Sequence, residues 1–285
     1  MHLLILGKPD GEEARRIAIA AKERGHQTTI ASFADVVISA GANTTINIGK
    51  IPLESFDLLL FRNFFPFISE ALLVAERFHA ARKRVIDTRL VTTPVIMSKM
   101  YEATILEQHG VTVPKTIQCF SADAVRTILP TMRFPLILKS VHGRGGTQVF
   151  RAQNQQAVLR LLAQAPPGTF LLQDYLPSRI DYRVLTIGYR AIGAVRRSVP
   201  ENDFRTNSGL GAPAKRTPLT PLLATIAETA SHALGRECAG VDIRISKGIP
   251  YVLEVNQTPG FIHFEKATKI DVAGLLIRYF ESLIE

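Results

Sequence analysis

Gly240-Val241-Asp242-Ile243-Arg244, followed after a short gap by Val252-Leu253-Glu254-Val255-Asn256-Gln257-Thr258-Pro259-Gly260, decides how the rest of this chain is read. Side chains alternate faces along a strand, so Glu254 and Asn256 project to one side and Leu253 and Val255 to the other. A carboxylate and an amide side by side in an otherwise apolar strand need a reason, because buried charge is costly unless paired or bound to metal. Asp242 joins them only if the turn has the right parity. A three-residue loop, Ser246-Lys247-Gly248 with Gly248 left-handed, sets Asp242 across from Val252 and on the face of Glu254; a two-residue loop sets it on the opposite face. Oxygen ligation by Asp, Glu and Asn suits Mg²⁺ shared with phosphate oxygens and argues against zinc. A satisfied polar cluster, or a row of edge-strand charges, is the competing reading.

Working outward, three further segments carry chemistry. Lys139 ends the apolar stretch Pro135-Leu136-Ile137-Leu138, and Gly143, Gly145 and Gly146 follow it. Glycines let backbone N–H groups approach phosphate while lysine supplies a point charge. No Gly-Lys-Ser/Thr opens a helix here, so this is not a Walker A loop, and a plain Gly-rich hairpin explains the same residues. Gln173-Asp174-Tyr175-Leu176 precedes Asp181-Tyr182-Arg183; a strand passing between lobes can offer backbone groups to an adenine edge, and a nearby carboxylate can bind ribose hydroxyls. In Asn202-Asp203-Phe204-Arg205-Thr206-Asn207-Ser208-Gly209, an arginine followed by polar residues and glycine fits anchoring of a transferring phosphoryl group, and fits a surface loop equally.

The first ninety residues alternate strand and helix: strands at 3–6, 27–32, 57–61 and 84–87, helices at 11–24 and 68–81. Such a βαβ pattern implies a small parallel sheet. Only Gly7 and Gly11 follow the first strand, so the G-x-G-x-x-G of a dinucleotide site is absent. Thr93-Pro94 and Pro166-Pro167-Gly168 mark breaks. Between them the pattern gives a helix at 98–108 and strands at 111–116 and 134–140. After them come a strand at 169–175, hairpins at 182–197 and 239–256, and helices at 221–234 and 271–284.

The chain has 285 residues, 46% hydrophobic and 21% charged, enough for two or three lobes with real cores. No apolar run approaches the roughly 20 residues of a membrane helix, and Met1–Gly7 reads as a first strand rather than a leader. Cys119 and Cys238 fit neither a disulfide framework nor a zinc site by spacing, which suits a reducing cytoplasm. The formal charge of +9 asks for an anionic partner. With the basic residues between Arg183 and Arg216 dispersed and no nucleic-acid module recognisable, a basic cleft for phosphates and carboxylates is favoured over nucleic acid; a solvated basic face is the bland alternative.

In this order and at these spacings the four segments resemble the ATP-grasp superfamily, and its RimK-type branch most closely. The match runs from about Ser98 to Gly260. Its strongest parts are Gly-Val-Asp-Ile with Leu-Glu-Val-Asn-x-x-Pro-Gly, and Phe204-Arg205-Thr206-Asn207, close to the Phe-Arg-Ser-Asn of that branch. The resemblance implies an α/β, ATP-grasp fold: a pre-ATP-grasp domain at 1–94, a small subdomain at 95–172, and a C-terminal subdomain with the metal site at 173–285. It implies that Lys99 and Lys139 are the two nucleotide lysines, that Asp174 and Tyr175 form the adenine hinge and that Asp181 is the ribose contact. Arg205, Thr206 and Asn207 hold the terminal phosphate, with Arg205 the catalytic residue, and Asp242, Glu254 and Asn256 bind Mg²⁺ (or Mn²⁺). Gln-Asp replaces the more usual Gln-Glu at the hinge, and Ser208-Gly209-Leu210-Gly211-Ala212 replaces a more basic ending, a departure that bears on substrate identity rather than on ATP use.

The family's chemistry is ATP-dependent activation of a carboxylate as an acyl phosphate, which an amine then attacks; RimK-type members add glutamate or a related amine. The expected partners are ATP and acidic amino-acid and carboxylate substrates, with no membrane, no nucleic acid, a homo-oligomeric state and a cytoplasmic location. A regulatory protein that keeps ATP binding without ligation is the alternative reading.

Overall fold

Leu3, Leu4, Ile5 and Leu6 have no solvent exposure, and the fold begins with what covers them. The computed structural model describes residues 1–41, 44–92, 98–141, 148–166, 168–198 and 214–284. Strand β1 (His2–Leu6) leads to α1 (Glu12–Glu23) and β2 (Gln27–Ala31). A side sheet follows, made of β3 (Val36–Ser39), β4 (Thr45–Ile48) and β5 (Ile51–Pro52), and then β6 (Leu58–Phe61), α2 (Ile68–Ala80) and β7 (Arg84–Val85). The main strands form a parallel sheet in the order β2-β1-β6-β7. A parallel strand buried on both faces needs cover on both. Leu3 and Ile5 pack with Ile17 of α1, whereas Leu4 and Leu6 pack with Val74 and Phe78 of α2.

The antiparallel β3-β4-β5 sheet is absent from the sequence reading. Its apolar residues Val36, Ile38, Ile46 and Ile48 alternate and close the α2 side of the core. Short strands broken by Gly41 and Gly49 give too little pattern to stand out from a loop.

Helix α3 (Arg89–Thr92) and α4 (Lys99–Gln108) lead to β8 (Thr116–Gln118), α5 (Ala122–Ile128), β9 (Leu136–Ser140), β10 (Val149–Ala152), α6 (Gln155–Leu162) and β11 (Phe170–Asp174). These strands pair antiparallel in the order β10-β9-β11-β8, with α5 and α6 contributing to one apolar core beneath them. The strand expected at 111–116 starts later. Pro114 lacks a donor, and the segment before it goes elsewhere: Val111 is buried in the core of the C-terminal sheet, and the Val252 N–H donates to the Thr112 carbonyl at 2.9 Å.

The C-terminal sheet comprises β12 (Ile180–Ile187), β13 (Arg190–Ser198), β14 (Ala214–Thr217), then after α7 (Pro221–Ala233) β15 (Cys238–Ser246) and β16 (Ile249–Asn256), in the order β14-β13-β12-β15-β16. Helices α8 (Ile262–Thr268) and α9 (Val272–Glu281) end the chain; α8 is a second element missing from the sequence reading. Phe261, Phe264, Leu276 and Phe280 pack with Leu185 and Val195 of this sheet and with Leu3, Ile5 and Ile17. One core therefore joins the parallel sheet to the C-terminal sheet.

The β15–β16 turn corrects the expected loop. Ser246 pairs with Ile249, so the turn has only Lys247 (φ 50°) and Gly248 (φ 79°) between the paired positions. Two successive positive φ values match the twist of a tight hairpin. That turn alone would put Asp242 opposite Leu253 and on the wrong face. The register instead shifts between Asp242 and Ile243: Ile243 faces Val252, but Asp242 faces Glu254. Leu253 is the extra residue of a β-bulge. Val252 and Val255, three apart, consequently both lie in the core with Val241 and Ile243, and Leu253, expected on the same side as Val255, is only half-buried.

Glu237, 1% exposed at the start of β15, stitches three regions. Its carboxylate accepts from Arg84 Nη2 (2.9 Å), from Thr88 N (2.9 Å) and Oγ1 (2.8 Å), and from Tyr279 OH (2.7 Å). Neighbouring Asp87 is pushed up to about 7 by burial and by the Glu237 charge. A buried carboxylate is tolerated only while its acceptor sites are filled, and removing one side leaves uncompensated partners. Glu237→Ala is expected to lower the unfolding free energy by about 3 kcal/mol or more in urea melts; a loss under about 1 kcal/mol would contradict this role.

Candidate functional site

The bulge gives β15 and β16 a polar face. Arg183 lies directly cross-strand from Asp242, and Arg197 cross-strand from Asp181. Arg183 donates from Nε to Asp242 Oδ1 at 2.8 Å and from Nη2 to Oδ2 at 2.7 Å. Arg197 bridges both acids, with Nε 2.9 Å from Asp181 Oδ1 and Nη2 2.9 Å from Asp242 Oδ1. Arg244 Nη2 lies 3.5 Å from Asp181 Oδ2. Burial alone would raise Asp242, but the guanidinium groups of Arg183 and Arg197 hold it below the usual carboxylate range. Asp181 is pushed up to about 6, because burial and the Asp242 charge outweigh Arg197.

Glu254 and Asn256 complete the face. Asn256 Nδ2 donates to the Gly240 carbonyl at 3.2 Å and reaches Asp242 Oδ2 at 3.5 Å. With Nδ2 committed to those acceptors, Oδ1 is the atom available to a cation. Among the described residues no group of three or more His, Cys, Asp and Glu converges as a metal would require. The candidate set is two carboxylates and an amide, an all-oxygen set that fits a hard cation such as Mg²⁺ and leaves zinc without its usual donors.

The small antiparallel sheet and α4 each present one lysine to this face. Lys139, on β9, has Glu254, Lys99 and Glu102 as its electrostatic neighbours. Burial, aided by the Lys99 charge, brings it down to about 8 against the opposing pull of Glu254 and Glu102. Lys99 begins α4, which Ser98 caps by accepting from Tyr101 N. Helix α4 is tied to the candidate metal strand through Arg236, which donates to Glu102 Oε1 and to the Val255 carbonyl. Asp87 adds a further tie, accepting from the side chain of Gln257, the residue after Asn256.

At the exit of β11, Asp174 and Tyr175 are half-buried, and the Asp174 N–H donates to the Lys115 carbonyl at 3.0 Å. Arg151 lies 5.6 Å over the Tyr175 ring. Asp181, the residue the resemblance makes the ribose contact, is 1% exposed and turned onto Arg197 and Arg244 as an internal counter-ion. Gly143, Gly145 and Gly146, and Arg205, Thr206 and Asn207, lie outside the described residues.

The structure thus gathers Lys99, Lys139, Asp242, Glu254 and Asn256. Sequence reasoning missed Arg183, Arg197, Glu102 and Arg236 as partners of this site. The signal for Arg183 was present: Asp181 and Arg183, two apart on a strand, share a face, and Asp242 has the opposite charge.

Residues 97–280 match the family described as a RimK-like ATP-grasp domain. A "Probable alpha-L-glutamate ligase" of Trichodesmium erythraeum is 28% identical over 290 residues, covering 99% of this chain and 96% of that one. A protein of the same name from Cellvibrio japonicus is 28% identical, covering 94% and 90%. Among solved structures, the ATP-grasp ligase PsnB with a phosphomimetic variant of its minimal precursor, Mg and ADP superposes with a TM-score of 0.76 at 19% identity, covering 99% of this chain and 98% of that one. The D-cycloserine synthetase DcsG gives 0.73 at 19% identity and covers both chains fully, 100% of each. At such identities these structures establish the fold alone.

Lys139 generates a pH prediction. A bound polyphosphate favours the ammonium form, so its pKa in the complex exceeds about 8, the value without ligand. Nucleotide binding near pH 8.5 is therefore expected to take up protons and to weaken as pH rises through about 8. Calorimetry in buffers of different ionisation enthalpy reads the uptake. Identical uptake in Lys139→Met would assign it to another group.

Proposed function

Given that the chain belongs to the RimK-like ATP-grasp family, we propose that it joins glutamate or a related amino acid to a carboxyl group through an acyl phosphate. It is an ATP-grasp ligase that forms C–N bonds; the substrate and the intermediate are our reading. The observation that carries it is the register of the last hairpin, which sets Asp242 opposite Glu254 with Asn256 two residues further on, beside Lys139.

In this reading Asp242, Glu254 and Asn256 hold Mg²⁺, which when bound neutralises phosphate charge. Lys139 from the small sheet and Lys99 from α4 hold the polyphosphate, and backbone groups near Asp174 and Tyr175 receive the adenine. Arg205, Thr206 and Asn207 grip the phosphoryl group being transferred. A substrate carboxylate oxygen attacks the γ-phosphorus, the bond to the β-phosphate oxygen breaks, and ADP leaves. The amine then attacks the acyl carbon, loses a proton, and inorganic phosphate departs. The protein contributes positioning and charge rather than a covalent nucleophile. In the same reading the chain divides at 1–94, 95–172 and 173–285, and the nucleotide lies between the last two parts.

The net charge of +9 favours an acidic substrate, and two relatives named as glutamate ligases match nearly the full chain. ADP release should therefore require an added amino acid, with glutamate among the best, and mass spectrometry should find the amide product. ADP release indifferent to every amino acid and carboxylate supplied would overturn ligation. Within an active enzyme, Arg205→Ala is expected to lower kcat on the order of 100-fold or more. Asp242→Asn and Glu254→Gln should abolish Mg²⁺-dependent ADP release while leaving a cooperative thermal melt.

A further inference from the structure

We propose that Arg183 is a latch on the candidate metal site, holding Asp242 in the metal-free protein and leaving it when a divalent cation enters. The proposal rests on the metal reading of Asp242, Glu254 and Asn256 and extends it to a residue outside that set. Its ground is a count of acceptor positions. An ionised carboxylate offers about four lone-pair sites. In Asp242, Oδ1 accepts from Arg183 Nε (2.8 Å) and Arg197 Nη2 (2.9 Å), and Oδ2 accepts from Arg183 Nη2 (2.7 Å) and, more weakly, from Asn256 Nδ2 (3.5 Å). All the sites have a donor. A cation that ligates Asp242 must displace one of them, and it repels the guanidinium groups it approaches.

The donors differ in how firmly they are held elsewhere. Arg197 has a side chain 3% exposed, and its Nε is anchored on Asp181 at 2.9 Å. Asn256 Nδ2 is anchored on the Gly240 carbonyl. Arg183 is 14% exposed, and both of its hydrogen bonds among the described residues go to Asp242. Arg183 is therefore the donor with the least to lose and the more exposed of the two guanidinium groups.

Once released, the guanidinium remains on the polar sheet face with its bidentate partner gone. A phosphoryl or carboxylate group matches its fork in the same geometry. The latch would thus exchange an internal anion for a ligand anion at the moment the cation arrives, linking metal entry to the appearance of a binding arginine. Arg183 is in that sense a positioning residue whose two states differ in what they hold.

Mn²⁺ serves as probe, with free Mn²⁺ measured by electron paramagnetic resonance on nucleotide-free full-length protein. Removing the latch should free Asp242, so Arg183→Gln is expected to bind Mn²⁺ about tenfold or more tightly than the wild type, while its amino-acid-dependent ADP release falls. Arg183→Lys, which keeps the charge but loses the fork, should fall between them in Mn²⁺ affinity and covers the case in which the glutamine variant fails to fold. Asp242→Asn should lose Mn²⁺ binding. Unchanged or weaker Mn²⁺ binding in both Arg183 variants, with binding still lost in Asp242→Asn, overturns the latch and leaves the metal site standing. Normal Mn²⁺ binding in Asp242→Asn overturns both.

Discussion

One extra residue in one strand governs the chemistry of this protein. A two-residue turn at Lys247-Gly248 would place Asp242 on the opposite face from Glu254, and the bulge at Leu253 reverses that parity. Val252 and Val255 consequently both enter the core under α7, while Asp242, Glu254 and Asn256 share the other face. The apolar and polar demands of the hairpin are met by the same irregularity: without it, Val255 would leave the core face and Glu254 would take its place.

That polar face would be costly to bury if its charges were not matched. Arg183, Arg197 and Arg244 alternate with Asp181 and Asp242 across three strands, so that each acid touches two guanidinium groups. The surrounding lobes are tied to the hairpin by the same kind of contact. Arg236 links β16 to Glu102 on α4, Glu237 links β15 to Arg84 and Tyr279, and Arg62 of the parallel sheet donates to the Pro259 carbonyl at 3.0 Å in the loop after β16. A hairpin fixed from three directions is preorganised, which is what a site relying on positioning and charge requires.

Much of this was legible in the sequence, and the rest was hidden for definite reasons. The apolar run at 3–6 and the strand–helix alternation after it gave the parallel sheet, because burial on both faces leaves a strong signature. The candidate metal residues were found from their chemical oddity within apolar strands. How they come together was not, because a bulge adds one residue without any local marker other than valines three apart. The β3–β5 sheet escaped because its strands are only two to four residues long. The strand near 116 was set too early, since Val111 and Val113 look like strand residues for one sheet while packing against another. Arg183 and Arg197 were visible as basic residues, but an ion pair between neighbouring strands requires the strand order, which composition does not contain.

The proposed chemistry depends on three oxygen-bearing side chains meeting at one cation beneath a polyphosphate. The direct measurement is the anomalous scattering of Mn²⁺ in crystals grown with a non-hydrolysable ATP analogue. The account predicts a peak roughly 2 Å from carboxylate oxygens of Asp242 and Glu254 and from Asn256 Oδ1, bridged to phosphate oxygens. A peak elsewhere, with Asp242 still clasped by Arg183 and Arg197 under the bound nucleotide, would contradict it.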